Sequence, residues 1–209
     1  LHYPLRRQRQ MCIRDRCIAY AMQYGISFNI AGGTHHAFSD HGEGFCMLND
    51  QAIGANYVLR KKKADRVLII DLDVHQGNGT AEIFKNDSRV FTFSMHGAKN
   101  YPIRKEKSDL DIGLEDGCKD DNYLALLIKN LNVVIKNFSP DFIFYQAGVA
   151  VITGSVFLAA SGSQSGVPDG TGQGNSSGIA AVPASASIEV TALPSASAGA
   201  TTGRYDAAT

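Results

Sequence analysis

The chain has 209 residues, of which 20 are basic and 20 acidic, so its formal charge at pH 7 is zero. This length allows one domain, or one domain with a tail, and the balance of charge gives no overall field favouring nucleic acid or an anionic membrane surface. The sequence has no apolar run near the roughly 20 residues that span a bilayer, no signal-peptide pattern, and no paired cysteine spacing typical of disulfide frameworks or zinc knuckles. The expected location is the reducing cytoplasm.

The neutral charge is the sum of three unlike segments. Residues 1–16 hold five arginines and one acid and look like a translated sequencing adapter, so we expect them to be non-native. In residues 151–209, Ser, Gly, Ala and Thr make up 37 of 59 positions and only four residues are charged. Such a composition buries too little apolar surface to offset chain entropy, which predicts disorder or a frameshift or chimeric join. Residues 17–150 are the expected globular part.

Helices and strands alternate along residues 17–150. In chain order the predicted elements are a helix over 17–23, a strand over 26–31, a helix over 49–62, strands over 66–71 and 89–95, a helix over 120–138 and a strand over 141–147. The 120–138 helix is amphipathic, with an apolar stripe of Tyr123, Leu126, Leu127, Leu131, Val134 and Ile135. The alternation predicts an α/β fold in three α/β/α layers, with a buried parallel sheet.

Polar or glycine-rich clusters follow the predicted strands. They read GGTHHA, DLDVHQGNG, SMH and QAG in chain order. Because ligands gather beyond the carboxyl ends of parallel strands, we expect the clusters to share one edge of the sheet. The pair His35-His36 comes directly after two glycines, which let backbone approach closely and favour a functional pair over an ordinary surface pair.

The DLDVH segment has the spacing of a metal site. Asp71, Asp73 and His75 lie two residues apart, so on an extended segment they point the same way. Two carboxylates and an imidazole suit Zn²⁺ or Fe²⁺, and the alternative is a carboxylate pair that caps the following turn. A catalytic metal needs a neighbouring base, and His35 and His36 are candidates for the base and for an electrophilic partner.

The segments GGTHHAFSDHGEGFCMLND, DLDVHQGNGT, FSMH and YQAG, in this order and at these separations, resemble the zinc-dependent histone deacetylase family. They are most similar to its bacterial and class IV branch, where the H-Q-G-N-G form is usual. The resemblance covers about 17–149 and implies an incomplete arginase/deacetylase fold. It also implies a hydrolase that cleaves an acyl-lysine-type amide with metal-activated water, using Zn²⁺ or Fe²⁺ and a K⁺ ion.

The resemblance implies roles for the residues that match the family motifs. Asp73 and His75 match the first two metal ligands. His35 and His36 match the catalytic pair, in which the second histidine is the general base and the first assists electrostatically. Asn78 stands where many relatives place an aspartate behind the second histidine, so we expect His36 to be less basic than in those relatives.

Further matches surround this pair. Asp71 matches the carboxylate that orients the first histidine. It also matches a ligand of the monovalent cation, together with Ser94. Gly44 and Phe45 match the backbone acceptor and one wall of the acyl-lysine tunnel, and Tyr101 is the expected opposite wall.

One expected metal ligand is missing. The family places an aspartate directly after the A-G-x of the last matching strand, and this position is Ala150, whose methyl group cannot ligate. The downstream glycine-rich loop with the tyrosine that polarises the substrate carbonyl is missing as well. We therefore expect the gene to encode a deacetylase and this chain to be an inactive fragment. The alternatives are a non-catalytic acyl-lysine-binding protein and an amidohydrolase of polyamines or other small amides.

Other classes fit the sequence less well. A binuclear arginase-type hydrolase requires D-x-H-x-D, but the residue two after His75 is Gly77. A nucleotide-binding glycine loop would need a third glycine where Glu82 stands, and we expect the loop not to open a helix. The expected partner is an acylated lysine or amine, with neither nucleic acid nor membrane, and the oligomeric state is left open.

Overall fold

The computed structural model describes residues 3–29, 33–148, 156–161, 178–183 and 187–192, with side chains over 12–29 and 33–148. Its helices are α1 (Tyr3–Tyr24), α2 (Asp50–Arg60), α3 (Asn78–Phe84) and α4 (Asp120–Phe138). Its strands are β1 (Ser27–Asn29), β2 (Val67–Asp71), β3 (Val90–Gly97), β4 (Leu110–Leu114), β5 (Phe142–Ala147), β6 (Val156–Ser161), β7 (Gly178–Pro183) and β8 (Ser187–Ala192). None of these helices is long and apolar enough to cross a membrane.

A six-stranded sheet in the order β1-β7-β5-β2-β3-β4 forms the centre of the fold. Strands β5, β2, β3 and β4 pair in parallel, whereas β7 is antiparallel to both β1 and β5. Strand β1 therefore runs in the same direction as β5, and the carboxyl ends of β1, β2, β3 and β5 lie along one edge. The predicted parallel sheet is confirmed for β5, β2, β3 and β4. Strand β7 is an antiparallel strand that was not predicted.

Strands β2, β3 and β5 are buried on both faces, as expected for a three-layer fold. All five residues of β2 are buried, and the side chains of the first four alternate between two apolar clusters. One cluster joins the sheet to α1 and α2 and includes Ile18, Ala55, Val58, Val67, Ile69 and Phe144. The other joins it to α4 and includes Leu68, Ile70, Phe93, Tyr123, Leu127, Leu131 and Ile143. Each buried Leu or Ile contributes roughly 1.5–3 kcal/mol, so these clusters hold the three layers together.

The observed elements differ from the predicted ones in several places. Helix α4 has the predicted bounds, but Leu126 is 38% exposed and lies off the buried stripe of Tyr123, Leu127, Leu131 and Val134. Helix α1 begins well before the predicted residue 17. Strand β4, at the sheet edge, was not predicted. Helix α3 begins directly after Gly77, so the expectation that this loop does not open a helix was wrong. The boundaries predicted at residues 16 and 150, and the non-native ends, stay predictions.

The first turn of α3 supports the loop that carries the two histidines. The backbone N–H of Thr80 donates to the carbonyl of His35 over 3.2 Å. Gly79 lies so close to this loop that a Cβ there would overlap the carbonyl oxygen of Ala37. The histidine loop and α3 therefore pack backbone to backbone, which only glycine allows at residue 79.

We predict that Gly79→Ala destabilises the fold by roughly 2 kcal/mol. The helix preference for alanine is worth at most ~1 kcal/mol, whereas the overlap forces a backbone shift in a well-packed region. The matched control is Gly54→Ala in α2, whose Cβ would meet side-chain atoms of Phe144 at 2.9 Å and Ile18 at 3.3 Å and no backbone of another element. Urea denaturation of both variants should show the larger loss of unfolding free energy for Gly79→Ala, and an equal or smaller loss would contradict this packing.

Candidate active site

A buried ion pair anchors the first histidine. Nδ1 of His35 donates to Oδ2 of Asp71 over 2.5 Å, and both side chains are about 3% exposed. Oδ1 of Asp71 accepts from the backbone N–H of Asp73 over 3.0 Å. Burial alone would lower the pKa of His35, but the charge and hydrogen bond of Asp71 outweigh it, so this pKa lies above the ordinary histidine value. The expected pairing of Asp71 with His35 is therefore present.

The partner of the second histidine is an amide and not a carboxylate. Nδ1 of His36 lies 2.7 Å from Oδ1 of Asn78, and both side chains are buried. The rings of His35 and His36 are 4.0 Å apart between centroids. Burial, followed by the neighbouring His35, lowers the pKa of His36 below its ordinary value. An amide behind this ring adds no full negative charge, so its hydrogen bond offsets the effect of burial on this pKa less than Asp71 does for His35.

A carboxylate lies behind Asn78. Oε1 of Glu43 accepts from Nδ2 of Asn78 over 2.8 Å and from the hydroxyl of Tyr101 over 2.6 Å. The ring of Tyr101 also meets the ring of His36 edge to face, with centroids 4.8 Å apart. Glu43, Asn78, His36 and Tyr101 thus form one connected cluster, and every member except Glu43 was a predicted site residue.

The cap of α2 fixes the backbone of the histidine loop. The Oδ1 of Asn49 accepts from the N–H of Ala52, which caps the helix, and its Nδ2 lies 3.4 Å from the carbonyl of His35 and 3.3 Å from that of Ala37. One buried amide therefore ties the helix start to the loop that carries the catalytic candidates. The sequence predicts no role for Asn49, because an N-cap asparagine has the same local sequence signal whether or not it reaches another loop.

Asp73 and His75 bring two potential metal ligands together. Nδ1 of His75 lies 2.8 Å from Oδ1 of Asp73, and a carboxylate oxygen with an imidazole nitrogen is a ligand pair that zinc accepts. Zinc in catalytic sites takes three protein ligands, and across the described residues no group of three or more His, Cys, Asp or Glu forms a potential metal site. The pair therefore fits part of a zinc site and does not complete one.

The expected third ligand position, Ala150, lies outside the described residues. The nearest described residue is Gly148, which follows β5. It is so close to Asp73 that a Cβ would overlap the carboxylate. The chain thus leaves β5 directly beside Asp73, and the assignment of the third position stays a prediction.

The remaining predicted residues lie around this cluster. Ser94 pairs with Asp71 in the β2–β3 register, and its hydroxyl lies 2.9 Å from Nδ1 of His96. The cation role of Asp71 and Ser94 stays a prediction. Gly44 lies against the ring of His36, and the next residue, Phe45, is fully exposed. Tyr101 is on the opposite loop. A cavity of about 290 Å³ adjoins the cluster and is lined by Phe38, Glu43, Asn78, Tyr101, Pro102, Ile103, Arg104 and Glu106.

Comparisons with known proteins show which family this sequence resembles. The family model for the histone deacetylase domain matches residues 11–167. An uncharacterized protein of Picosynechococcus is 52% identical over 129 residues, which cover 62% of this chain and 43% of that protein. Histone deacetylase 2 of Arabidopsis thaliana is 33% identical over 155 residues, covering 73% of this chain and 40% of the relative. Histone deacetylase 8 of Xenopus laevis is 35% identical over 142 residues, covering 62% and 43%. The chain thus spans about two fifths of these relatives.

Two solved structures are similar to parts of this chain. The acetylpolyamine aminohydrolase of Burkholderia pseudomallei matches with a TM-score of 0.55 at 24% identity, covering 66% of this chain and 44% of that one, and shows the same fold. A histone deacetylase homologue from Aquifex aeolicus is 34% identical, with a TM-score of 0.49, over 55% of this chain and 34% of that one. The match of the domain model to three quarters of the sequence establishes that the chain belongs to the histone deacetylase family.

Proposed function

We propose that this chain carries the proton-transfer part of a deacetylase site that hydrolyses an acyl-lysine-type amide, with His36 as the general base. The observation that carries the proposal is the hydrogen bond between Nδ1 of His36 and Oδ1 of Asn78, beside the Asp73–His75 pair. Because this contact occupies Nδ1, Nε2 is the nitrogen left to take a proton from water. A base within reach of the reacting atoms contributes roughly 10²- to 10⁴-fold to the rate.

The two histidines suit different tasks. Asp71 favours the protonated form of His35, which can therefore act as an electrostatic partner. Burial favours the neutral form of His36, which can accept a proton from water and later return it to the leaving amine. Two titratable groups whose surroundings move their pKa values in opposite directions support this division of roles.

Asp73 and His75 would hold a zinc ion together with a third ligand that the described residues do not provide. When bound, zinc would supply a Lewis acid that polarises water and the amide carbonyl. We propose that alanine at residue 150 leaves this site incomplete and that the chain alone is inactive. The proposed Zn²⁺ dependence and the K⁺ contact of Asp71 and Ser94 both follow from family membership.

The loops of Phe45 and Tyr101 are the proposed walls for the acyl-bearing arm of the substrate. Both side chains are exposed, and the Tyr101 ring lies against the proposed base, so an arm between the two loops would end beside His36. An acylated lysine and an acylated polyamine share this arm. The proposed substrate class is therefore an acylated primary amine, and competition between the two kinds of substrate would separate them.

We predict that completing the site restores turnover. In a chimera, residues 149–209 are replaced by the corresponding C-terminal part of the Picosynechococcus relative. With zinc and an acetyl-lysine peptide, the original chain should show no chelator-sensitive hydrolysis, whereas the chimera should show it. In the chimera, His36→Ala should lower kcat by roughly 10²- to 10⁴-fold, because the general base is removed.

The intact relative, assayed in parallel, is the control for this exchange. Chelator-sensitive hydrolysis by the original chain would contradict its proposed inactivity. A folded chimera that hydrolyses no acylated amine, beside an active relative, would contradict the proposed function. Acyl-lysine binding by the original chain without metal or turnover would favour the non-catalytic binding protein instead.

We also predict that Ala150→Asp raises the zinc affinity of the chain at least about tenfold, or about 1.4 kcal/mol, because it adds a third ligand. Ala150→Asn is the matched control, since it has nearly the same shape but no charge and should give a smaller gain. Isothermal titration with Zn²⁺ measures both, and Asp73→Ala in the Ala150→Asp background should remove the gain. Equal affinity of the aspartate and alanine forms would contradict the ligand assignment.

A further inference from the structure

Glu43 is the one charged residue of the His36 cluster that the proposed mechanism does not use. It lies on the loop directly before Gly44, and its side chain is 34% exposed. Its Oε1 receives two hydrogen bonds, from Nδ2 of Asn78 at 2.8 Å and from the hydroxyl of Tyr101 at 2.6 Å. Beside the proposed base, this carboxylate accepts two hydrogen bonds, one of them from the buried Asn78, which an ordinary solvated loop residue does not do.

The chemistry of these groups restricts how they can be oriented. An ionised carboxylate only accepts hydrogen bonds, so Asn78 must turn its NH₂ group towards Glu43. Its carbonyl Oδ1 then faces His36, and since this oxygen only accepts, Nδ1 of His36 must carry the proton. The hydrogen-bond partner of a histidine determines which ring nitrogen carries the proton. Here a third residue, Glu43, determines the orientation of that partner.

We propose that Glu43 is a positioning residue that sets the tautomer of His36 by fixing the orientation of the Asn78 amide. The ring is held in its Nδ1–H form, and Nε2 keeps its lone pair. The catalytic use of that lone pair rests on the proposed function, whereas the tautomer is a property of the resting chain. An experiment can therefore contradict the proposed tautomer of His36 without contradicting its proposed catalytic role, and the reverse.

An asparagine needs such a partner and an aspartate does not. A carboxylate directly behind His36 would impose the Nδ1–H form unaided, because it has no donor to offer. An amide presents an acceptor at one end and donors at the other, so Asn78 alone would allow either tautomer. Asn78 is buried, which leaves few other groups to orient it. The hydrogen bond from Tyr101 lowers the pKa of Glu43, which keeps the carboxylate ionised and acceptor-only.

Nitrogen NMR of the imidazole rings tests the proposal on the whole 209-residue chain. With ¹⁵N-labelled histidine at about pH 8.5, two units above the ordinary histidine pKa, the neutral tautomers have distinct Nδ1 and Nε2 shifts. Loss of a signal set in His36→Gln assigns the ring. The expected result for the original chain is the Nδ1–H form alone. In Glu43→Ala, water can both donate to and accept from Asn78, so the ring should shift to a mixture of the two tautomers.

Two further variants separate orientation from general damage. Tyr101→Phe removes the other donor to Glu43 and leaves the Asn78 contact, so the Nδ1–H form should remain. Adding Asn78→Asp to Glu43→Ala places an acceptor-only group behind the ring and should restore the Nδ1–H form. Circular dichroism checks that each variant is folded.

Each outcome of these NMR experiments either supports or overturns the proposal. A mixture in Glu43→Ala that the added Asn78→Asp reverses supports the proposal. An Nε2–H ring in the original chain, or an unchanged Nδ1–H ring in Glu43→Ala, overturns it, because Asn78 is then oriented by something else. If Glu43→Ala does not fold, Glu43→Lys gives the same test, since an ammonium only donates and should turn the amide round to favour the Nε2–H form.

Discussion

The buried carboxylate of Asp71 is the group on which the rest of the site depends. It lies at the carboxyl end of a fully buried strand and accepts hydrogen bonds from the ring of His35 and from the backbone of Asp73. A buried charge without partners is strongly unfavourable, and removing one partner of such a pair typically costs about 3–5 kcal/mol. The histidine loop and the DLDVH segment are therefore held together by a requirement of folding as well as of chemistry. Gly77 lies against the same carboxylate, with no room for a Cβ.

Much of the fold could be predicted because its signals are local. The VLIID run and the α4 periodicity each identify one element from its own residues, and the structure places both where they were predicted. Helix α3 was not predicted because its glycine-rich first turn has poor helix propensity. Tertiary contact with the histidine loop stabilises this helix. Strand β4 has five residues and is only partly buried at the sheet edge, so its pattern is weak. The antiparallel β7 depends on pairing across a long stretch of chain, which local patterns do not report.

For the site, sequence reasoning found the residues whose motifs occur together and missed those that act through a neighbour. His35, His36 and Asp71 were predicted to meet, and their contacts follow from two strands, β1 and β2, that end at the same edge. Glu43 was missed because a single acid before a glycine resembles any solvated loop residue. Its position becomes informative only when the loop is folded back onto Asn78, 35 residues away in sequence. The one signal in the sequence was the asparagine itself. An amide can either donate to a histidine or accept from it, so a second residue is needed to fix its orientation.

The two rings also constrain each other. Their centroids are 4.0 Å apart, so a positive charge on one ring opposes a positive charge on the other. Asp71 favours that charge on His35, and the repulsion adds to the burial that already favours a neutral His36. A carboxylate directly behind His36 would favour protonation of that ring and weaken the distinction. With Asn78 there, the negative charge stands one residue further away on Glu43, where it orients the amide while the ring itself is bonded to a neutral group. The asparagine thus preserves the difference between the two histidines, and the glutamate preserves the direction of the hydrogen bond that a neutral amide would otherwise leave open.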